Sequence, residues 1–272
     1  MVSAIKAATG DLVLTFLWVF FSSMLGLATD VITKALEIHH ASYNGFHYAD
    51  VVVITSLIFI LVTIFTFIAD ALGGASFNPT GNASLYAAGV GDDTLFSMAL
   101  RFPAQYCRKL WTNLVDEVTI GTGLKNFNGP VLGSVGGVLA VMEYMPEKYR
   151  HFIAGPSLKV SLHTGALAEG VLTFVITFLV LLIMIRGPHS GTAKTLLLAI
   201  STVVLITVGA SYTGPAMNPA FAFGWAYFEK WHDKWDHFYV YWICPFVGSI
   251  LAAWLFRIVF PPPPPVEKQK KA

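Results

Sequence analysis

Two Asn-Pro pairs are the residues whose type and spacing favour a specific chemistry. Asn78-Pro79 and Asn218-Pro219 each lie in a Gly/Ala-rich break between apolar stretches. Asparagine accepts hydrogen bonds from the first backbone N–H groups of a helix, and proline fits the first helical position. Each pair therefore predicts a helix start at which an amide donor accompanies the positive end of the helix dipole. Such a site can bind the oxygen atom of a neutral solute and repels cations.

The helices that begin at these pairs are expected to be short. The sequence predicts 79–89 for one and 219–228 for the other, about half the ~20 residues of a bilayer-spanning helix. Non-helical backbone at membrane depth is tolerated where it is buried in protein or lines a water-filled cavity. We therefore expect two half-helices that meet at their N-termini inside a membrane bundle.

Two acidic residues, Asp11 and Glu169, stand at the starts of apolar runs. A carboxylate inside a bundle needs a partner, and the alternative is an interfacial charge in water. The eight histidines and two cysteines lack the spacing of a metal site or a disulfide framework. No Ser–His or paired-acid arrangement lies in the apolar stretches. We therefore predict no catalytic residues, no metal, no cofactor and no enzyme activity.

The composition is that of a membrane protein. Hydrophobic residues make up 55% of the 272 residues and charged residues 12%, with a mean hydropathy of +0.64. Soluble domains carry about 25% charged residues, so this chain has too few to cover a water-facing surface. The net charge of +1 gives no electrostatic basis for binding nucleic acid. These values favour a protein that crosses the membrane several times.

Charge-free stretches predict six membrane spans, of which the third is irregular. The predicted spans are 12–29, 51–69, a broken segment that begins near 94 and resumes at 131–142, 170–185, 195–210 and 238–256. Lysine and arginine counts favour a cytosolic C-terminus by a small margin, and we predict that both termini are cytosolic. Five consecutive prolines, 261–265, end the last helix.

An internal repeat divides the chain into halves. Residues 11–20 match 169–178, and 73–80 match 213–220. Each half holds three spans and one broken segment, so the halves are oppositely oriented, which is typical of membrane transport proteins. We predict an all-α membrane protein with six transmembrane helices and two re-entrant half-helices. One domain covers 1–260, with repeats at about 9–145 and 160–260, and 261–272 forms a Pro-rich, then Lys-rich, cytosolic tail.

These features resemble the aquaporin (major intrinsic protein) family, in which two Asn-Pro-Ala boxes have this arrangement. The first box, Asn78-Pro79-Thr80, looks like that of the plant small basic intrinsic proteins. The same is true of the run 212–220, which contains the second box, and of the lysine-ended tail; the second box is Asn218-Pro219-Ala220. The resemblance covers the chain except 106–130.

The resemblance implies a function and an assembly. It implies a passive channel in the lipid bilayer for water and other small neutral solutes, in which the opposed half-helices exclude protons and ions. It implies homotetramers, and it implies that Asp11 and Glu169 bind the backbone of the pore loops. A secondary transporter of a small neutral solute, or a non-conducting structural membrane protein, remains the alternative function.

A selectivity filter follows from counting as in the family. Three residues on either side of Asn218 lie Pro215 and Phe221, and equivalent offsets in the second and fifth spans give Ile58 and Ile206. This filter has no arginine and no histidine, so cation exclusion would rest on the half-helix ends. Ordinary core packing of the four residues is the alternative.

Two further segments carry predictions. Lys268 and Lys270 match the dilysine retrieval pattern, which predicts the endoplasmic reticulum membrane, with a solvated basic end as the alternative. Residues 106–130 interrupt the third span, which favours unspliced coding sequence or a gene-model error over a genuine loop. If the chain is made as written, we expect the third span to begin near Pro130. We then expect 94–105 to be displaced towards the cytosolic interface, with poor folding or low flux.

Overall fold

The computed structural model describes residues 2–38, 42–43, 46–90, 93–106 and 133–261. These residues form a helical bundle, which confirms the predicted all-α architecture. They also contain one short antiparallel hairpin, in which strand β1 (Ser42–Tyr43) pairs with β2 (Phe46–His47). The hairpin lies between two helices.

The helices vary in length from about one turn to more than six turns. In chain order they are α1 (Val2–Ser23), α2 (Leu25–Ala35), α3 (Tyr48–Ala71), α4 (Pro79–Ala88), α5 (Leu95–Tyr106), α6 (Ser134–Tyr144), α7 (Leu162–Leu181), α8 (Gly191–Gly209), α9 (Pro219–Phe228), α10 (Trp235–Phe238) and α11 (Cys244–Val259). A 3₁₀ helix covers Glu147–Phe152, a π-helical turn continues α7 over Leu182–Arg186, and another joins α10 to α11 over Tyr239–Ile243.

Within the described ranges, five helical stretches are long and apolar enough to cross a membrane. They are Lys6–Ala35, Tyr48–Ala71, Leu162–Arg186, Gly191–Gly209 and Trp235–Val259. They coincide with five of the six predicted spans. The third predicted span is formed by α5 and by the shorter apolar helix α6.

The helix α5 holds nearly all of residues 94–105, for which the sequence predicts a displacement towards the cytosolic interface. The helix α5 packs along α1, and its Arg101 is only 8% exposed. The physical reason is a charge on each helix, because Arg101 forms a buried ion pair with Asp11 of α1. The helix α6 packs on the same helix α1 and begins at Ser134. Residues 107–132, which hold nearly all of the predicted insert and its junction at Pro130, lie outside the described residues.

Glycines let the long helices approach each other closely in both halves. A Cβ atom on Gly137 of α6 would lie 2.7 Å from the carbonyl oxygen of Phe16 on α1. In the second half, a Cβ atom on Gly248 of α11 would clash with the carbonyl oxygen of Gly170 on α7. These contacts pack α6 against α1 and α11 against α7, the two helices that carry the acidic residues.

Candidate functional site

The two Asn-Pro pairs begin the two half-helices. Asn78 is the N-cap of α4, and its Oδ1 accepts from the backbone N–H of Thr80 at 3.1 Å. Asn218 is the N-cap of α9, and its Oδ1 accepts from the N–H of Ala220 at 3.0 Å. Both asparagines have extended backbone, and proline occupies the first helical position in each case. The side chains therefore satisfy N–H groups that the helices themselves leave unpaired.

The same two side chains join the half-helices to each other. Asn78 Nδ2 donates to the carbonyl oxygen of Met217 at 3.0 Å, and Asn218 Nδ2 donates to the carbonyl oxygen of Phe77 at 3.0 Å. Each asparagine thus binds the residue that precedes the other. This reciprocal pair brings two helix N-termini together, and we call it the junction. The side-chain amide of each asparagine has two N–H donors, and one of the two is used in this pair.

The junction is half-buried at Asn78 and buried at Asn218, and one residue beside it has an uncommon backbone conformation. Asn218 is 5% exposed, Thr80 1% and Ala220 0%, and both prolines of the motifs are buried. Met217 has a φ of 47°, which is uncommon for a side-chain-bearing residue. In this conformation the Met217 carbonyl oxygen accepts from the Asn78 amide. The bond between the two pore loops therefore depends on a residue with strained backbone.

Glu169 binds the second loop directly. Its carboxylate is fully buried and accepts from Thr213 Oγ1 at 2.8 Å, from Ala216 N–H at 2.9 Å and from Met217 N–H at 3.0 Å. These donors lie within the five residues that precede Asn218. The contact is the one that the family resemblance implies for this residue. The Tyr241 hydroxyl, on the π-helical turn, adds a bond to the carbonyl oxygen of Thr213 at 3.0 Å.

Asp11 binds the first loop together with a residue that the sequence reasoning missed. Asp11 Oδ1 accepts from Ser76 N–H at 2.7 Å. Arg101 pairs with both carboxylate oxygens of Asp11, at 2.8 and 3.0 Å, and also donates to the Gly74 carbonyl oxygen at 3.0 Å. In the sequence, Arg101 is one of several positive charges on the predicted cytosolic side. Its 90-residue separation from Asp11 leaves no local signal in a single sequence.

The four filter residues do not all pack in one cluster. Ile58 is 3% exposed and packs with Ala199 and Val203 of α8. Phe221 packs against the cluster that contains Trp225. Ile206 contacts the cluster of Leu172 and Met217. Pro215 is also buried, and both Pro215 and Leu172 lie next to Gly209. Ile206 and Pro215 therefore both lie beside Leu172, whereas Ile58 and Phe221 pack against two other clusters.

A cavity of about 340 Å³ opens beside Ile206. Apolar side chains from α3 and α8, including Ile54 and Val203, form one part of its wall. Two threonines and two acidic residues, Asp30 and Asp50, also line it. Of the four filter residues, Ile206 is the one that borders this cavity.

Across the described ranges, no group of three or more His, Cys, Asp or Glu side chains is placed to hold a metal ion. Lys268 and Lys270 lie outside the described residues.

Comparisons with known proteins agree with this geometry. A family model described as Major intrinsic protein matches residues 112–256. Aquaporin SIP1-1 of Oryza sativa subsp. japonica is 51% identical over 274 residues, covering 100% of this chain and 99% of that protein. Aquaporin SIP1-1 of Arabidopsis thaliana is 50% identical over 273 residues, covering 100% of both.

A solved structure supports the fold. The aquaglyceroporin from Plasmodium falciparum matches with a TM-score of 0.61 at 18% identity, covering 95% of this chain and 98% of that chain. At this identity the likeness shows the fold alone. The predicted resemblance to the family and to its plant members, and the predicted fold class, are confirmed.

Proposed function

The chain belongs to the major intrinsic protein family of multi-pass membrane channels, and we propose that it is a passive channel for water and other small neutral solutes. We propose further that the junction excludes protons and ions. The residues that carry this function are the two motifs, Asn78-Pro79-Thr80 and Asn218-Pro219-Ala220.

The reciprocal bonding of the two asparagines is the observation that supports this function best. It brings two helix N-termini together, and each end carries about half a positive charge. The positive field repels cations, including hydronium. The second N–H of each amide is left for the oxygen of a passing solute. A water molecule that accepts from both amides cannot readily relay a proton along its chain.

An apolar filter adds to the selectivity. We propose that Ile58, Ile206, Pro215 and Phe221 narrow the pore on the extracytosolic side, where the cavity beside Ile206 would be the entrance. These side chains offer no charged or polar group to a solute. Small size and neutrality would therefore decide entry, and the junction would carry the barrier to ions.

The remaining proposals concern the location and assembly. We propose a homotetramer with both termini cytosolic, resident in the endoplasmic reticulum membrane through Lys268 and Lys270. Changing both lysines to serine in a tagged chain should release the protein to later compartments. An unchanged reticular distribution would contradict the retrieval signal.

Reconstituted vesicles test the function. In stopped-flow measurements with an osmotic gradient, vesicles that contain the protein should shrink faster than protein-free vesicles. The same measurement is then made with a glycerol gradient. Flux that rises linearly with the gradient is expected of a channel, and saturable, ion-coupled uptake would support a transporter instead. Correctly inserted protein without any added permeability would support the structural alternative.

A further inference from the structure

The two halves hold their pore loops in different ways. Glu169 reaches the second loop through three donors, two of them backbone N–H groups next to Asn218. Asp11 occupies the matching place in the first half, but its side chain is one methylene shorter. It binds the first loop at Ser76 N–H, and Arg101 extends its reach to Gly74.

The first loop has backbone that needs such a restraint. Gly73 and Gly74 have φ values of 80° and 82°, in the left-handed region that glycine populates easily. A Cβ atom on either glycine would meet no atom within 4 Å, so the turn is open on the side where a side chain would stand. The N–H groups of both glycines bond to carbonyl oxygens at the end of α3, and the bond from Arg101 Nη2 to the Gly74 carbonyl adds a restraint from a different helix. Asn78 follows only four residues later.

Arg101 is itself fixed from two sides. Its Nε and Nη2 bind Asp11, and its Nη1 binds both carboxylate oxygens of Asp93, at 3.1 and 2.9 Å. The fork of a guanidinium allows this double pairing, which the single ammonium of lysine cannot reproduce. The Asp11 side chain is fully buried, the Arg101 side chain is 9% exposed and that of Asp93 is 24% exposed. With a carboxylate on each side, the guanidinium does not act as a free positive charge at the pore.

We propose that Arg101 is the positioning residue of the first pore loop: by binding Asp11 and the Gly74 carbonyl together, it sets where Asn78 stands at the junction. Asp93 holds Arg101 in that position. This inference rests on the proposed channel function, because the position of Asn78 matters through the barrier that it forms.

Three variants and a control test the proposal in reconstituted vesicles. Arg101→Gln removes the fork, Arg101→Lys keeps the charge alone, and Asp93→Asn loosens Arg101 while leaving its pair with Asp11 in place. Arg257→Gln is the control, because Arg257 donates to the Ala87 carbonyl at the C-terminal end of α4, far from the end that Asn78 caps. Water permeability and proton flux are measured per inserted channel. A role in folding alone would change the amount of inserted protein and leave both per-channel values as they are.

We expect Arg101→Gln and Arg101→Lys to lower water permeability per channel about tenfold, equivalent to about 1.4 kcal/mol and within the range of coupling in one salt-bridge network. The ratio of proton flux to water flux should rise in both. Asp93→Asn should show the same changes to a smaller degree, and Arg257→Gln should match the parent.

Parent-like permeability and proton ratio in the Arg101 variants would overturn the proposal. If those variants fail to insert, Asp93→Asn decides, and an unchanged channel would overturn it as well. A parent protein that conducts no water would contradict the proposed function itself, whereas a conducting parent with unaffected variants would contradict this inference alone.

Discussion

The two asparagines of the junction differ in the residue that follows their proline. In the first motif, Thr80 donates to Asn78 Oδ1 through its backbone N–H and also through its hydroxyl, at 2.8 Å. In the second motif, Ala220 has no hydroxyl, and the N–H of Phe221 contributes at 3.4 Å. In both motifs the carbonyl oxygen of the amide is held inside its own half-helix. The amide nitrogen is therefore directed away from it, towards the opposite loop.

Asn218→Asp tests the electrostatic role of the junction. A carboxylate cannot donate to the Phe77 carbonyl that Asn218 now binds, and its charge would offset the positive helix ends. We expect cation conductance to appear in planar bilayers for this variant and to be negligible for the parent. Asn218→Ala is the control, because it removes the same bond without adding charge. Intact water flux with negligible ion conductance in the aspartate variant would contradict the electrostatic account.

Glu169→Gln tests the support of the second loop. The buried carboxylate accepts from three donors, and a glutamine must turn its NH₂ towards at least one of them. Leaving a buried donor unsatisfied costs about 1–3 kcal/mol. We expect a lower unfolding midpoint in detergent and reduced water flux. Glu229→Gln, on the exposed end of the second half-helix, should change neither. Equal stability of the Glu169 variant and the parent would mean that the loop does not depend on the carboxylate.

The sequence alone predicted much of this site and missed one part of it. Asn-Pro is a local signal for a helix start, and an acid in an apolar run is unusual enough to be noticed, so both could be identified without a structure. Arg101 could not, because its partners Asp11 and Gly74 are distant in sequence and come together only when α5 packs on α1. The role of an arginine depends on those partners and not on its neighbours in the chain.

Among the elements, the half-helices were the easiest to predict. The first ends at Ala88 and is closed by Gly89, which has the left-handed conformation that commonly closes a helix. The second ends at Phe228 as expected. The π-helical turns at Leu182–Arg186 and Tyr239–Ile243 were not expected. Such turns leave no pattern in an all-apolar segment, because they add a residue to a helix without changing its composition.

Gly248→Ala tests the packing of two long helices. A Cβ atom there would clash with the Gly170 carbonyl oxygen, which is backbone and cannot rotate away. Overpacking of this kind typically costs about 1–3 kcal/mol. We expect a lower denaturation midpoint for the purified protein. Gly191→Ala is the matched control, since a Cβ atom at Gly191 would meet nothing within 4 Å. Parent-like stability of the Gly248 variant would show that α7 and α11 separate without penalty.

At the scale of the whole molecule, the long helices present apolar side chains outwards. Exposed examples include Phe67 on α3, Val208 on α8 and Ile258 on α11. In a soluble protein such a surface would favour aggregation, and in a bilayer it is the surface that contacts lipid. Polar groups are concentrated inside, at the junction and its two supporting acids. This distribution is the one that the composition predicts for a membrane channel.

The deletion of residues 106–130 tests the predicted insert. It would join α5 to α6 in one apolar helix of about 25 residues, long enough to cross a bilayer, and would remove five charged residues. We expect the shortened chain to give a higher yield of folded protein and a higher water flux per total protein. Because Arg101 lies before the deleted stretch, its ion pair with Asp11 should persist. Equal yield and flux for both chains would show that the bundle accommodates the segment.

Simultaneous recording of osmotic shrinkage and internal pH in the same reconstituted vesicles tests the central claim most directly. Opposed half-helix ends that hold two amide donors should let water pass and stop protons. The account predicts water flux that increases with the amount of inserted protein, while proton flux stays at the level of protein-free vesicles. Proton flux that rises in proportion to water flux, or inserted protein that adds no water flux, would contradict it.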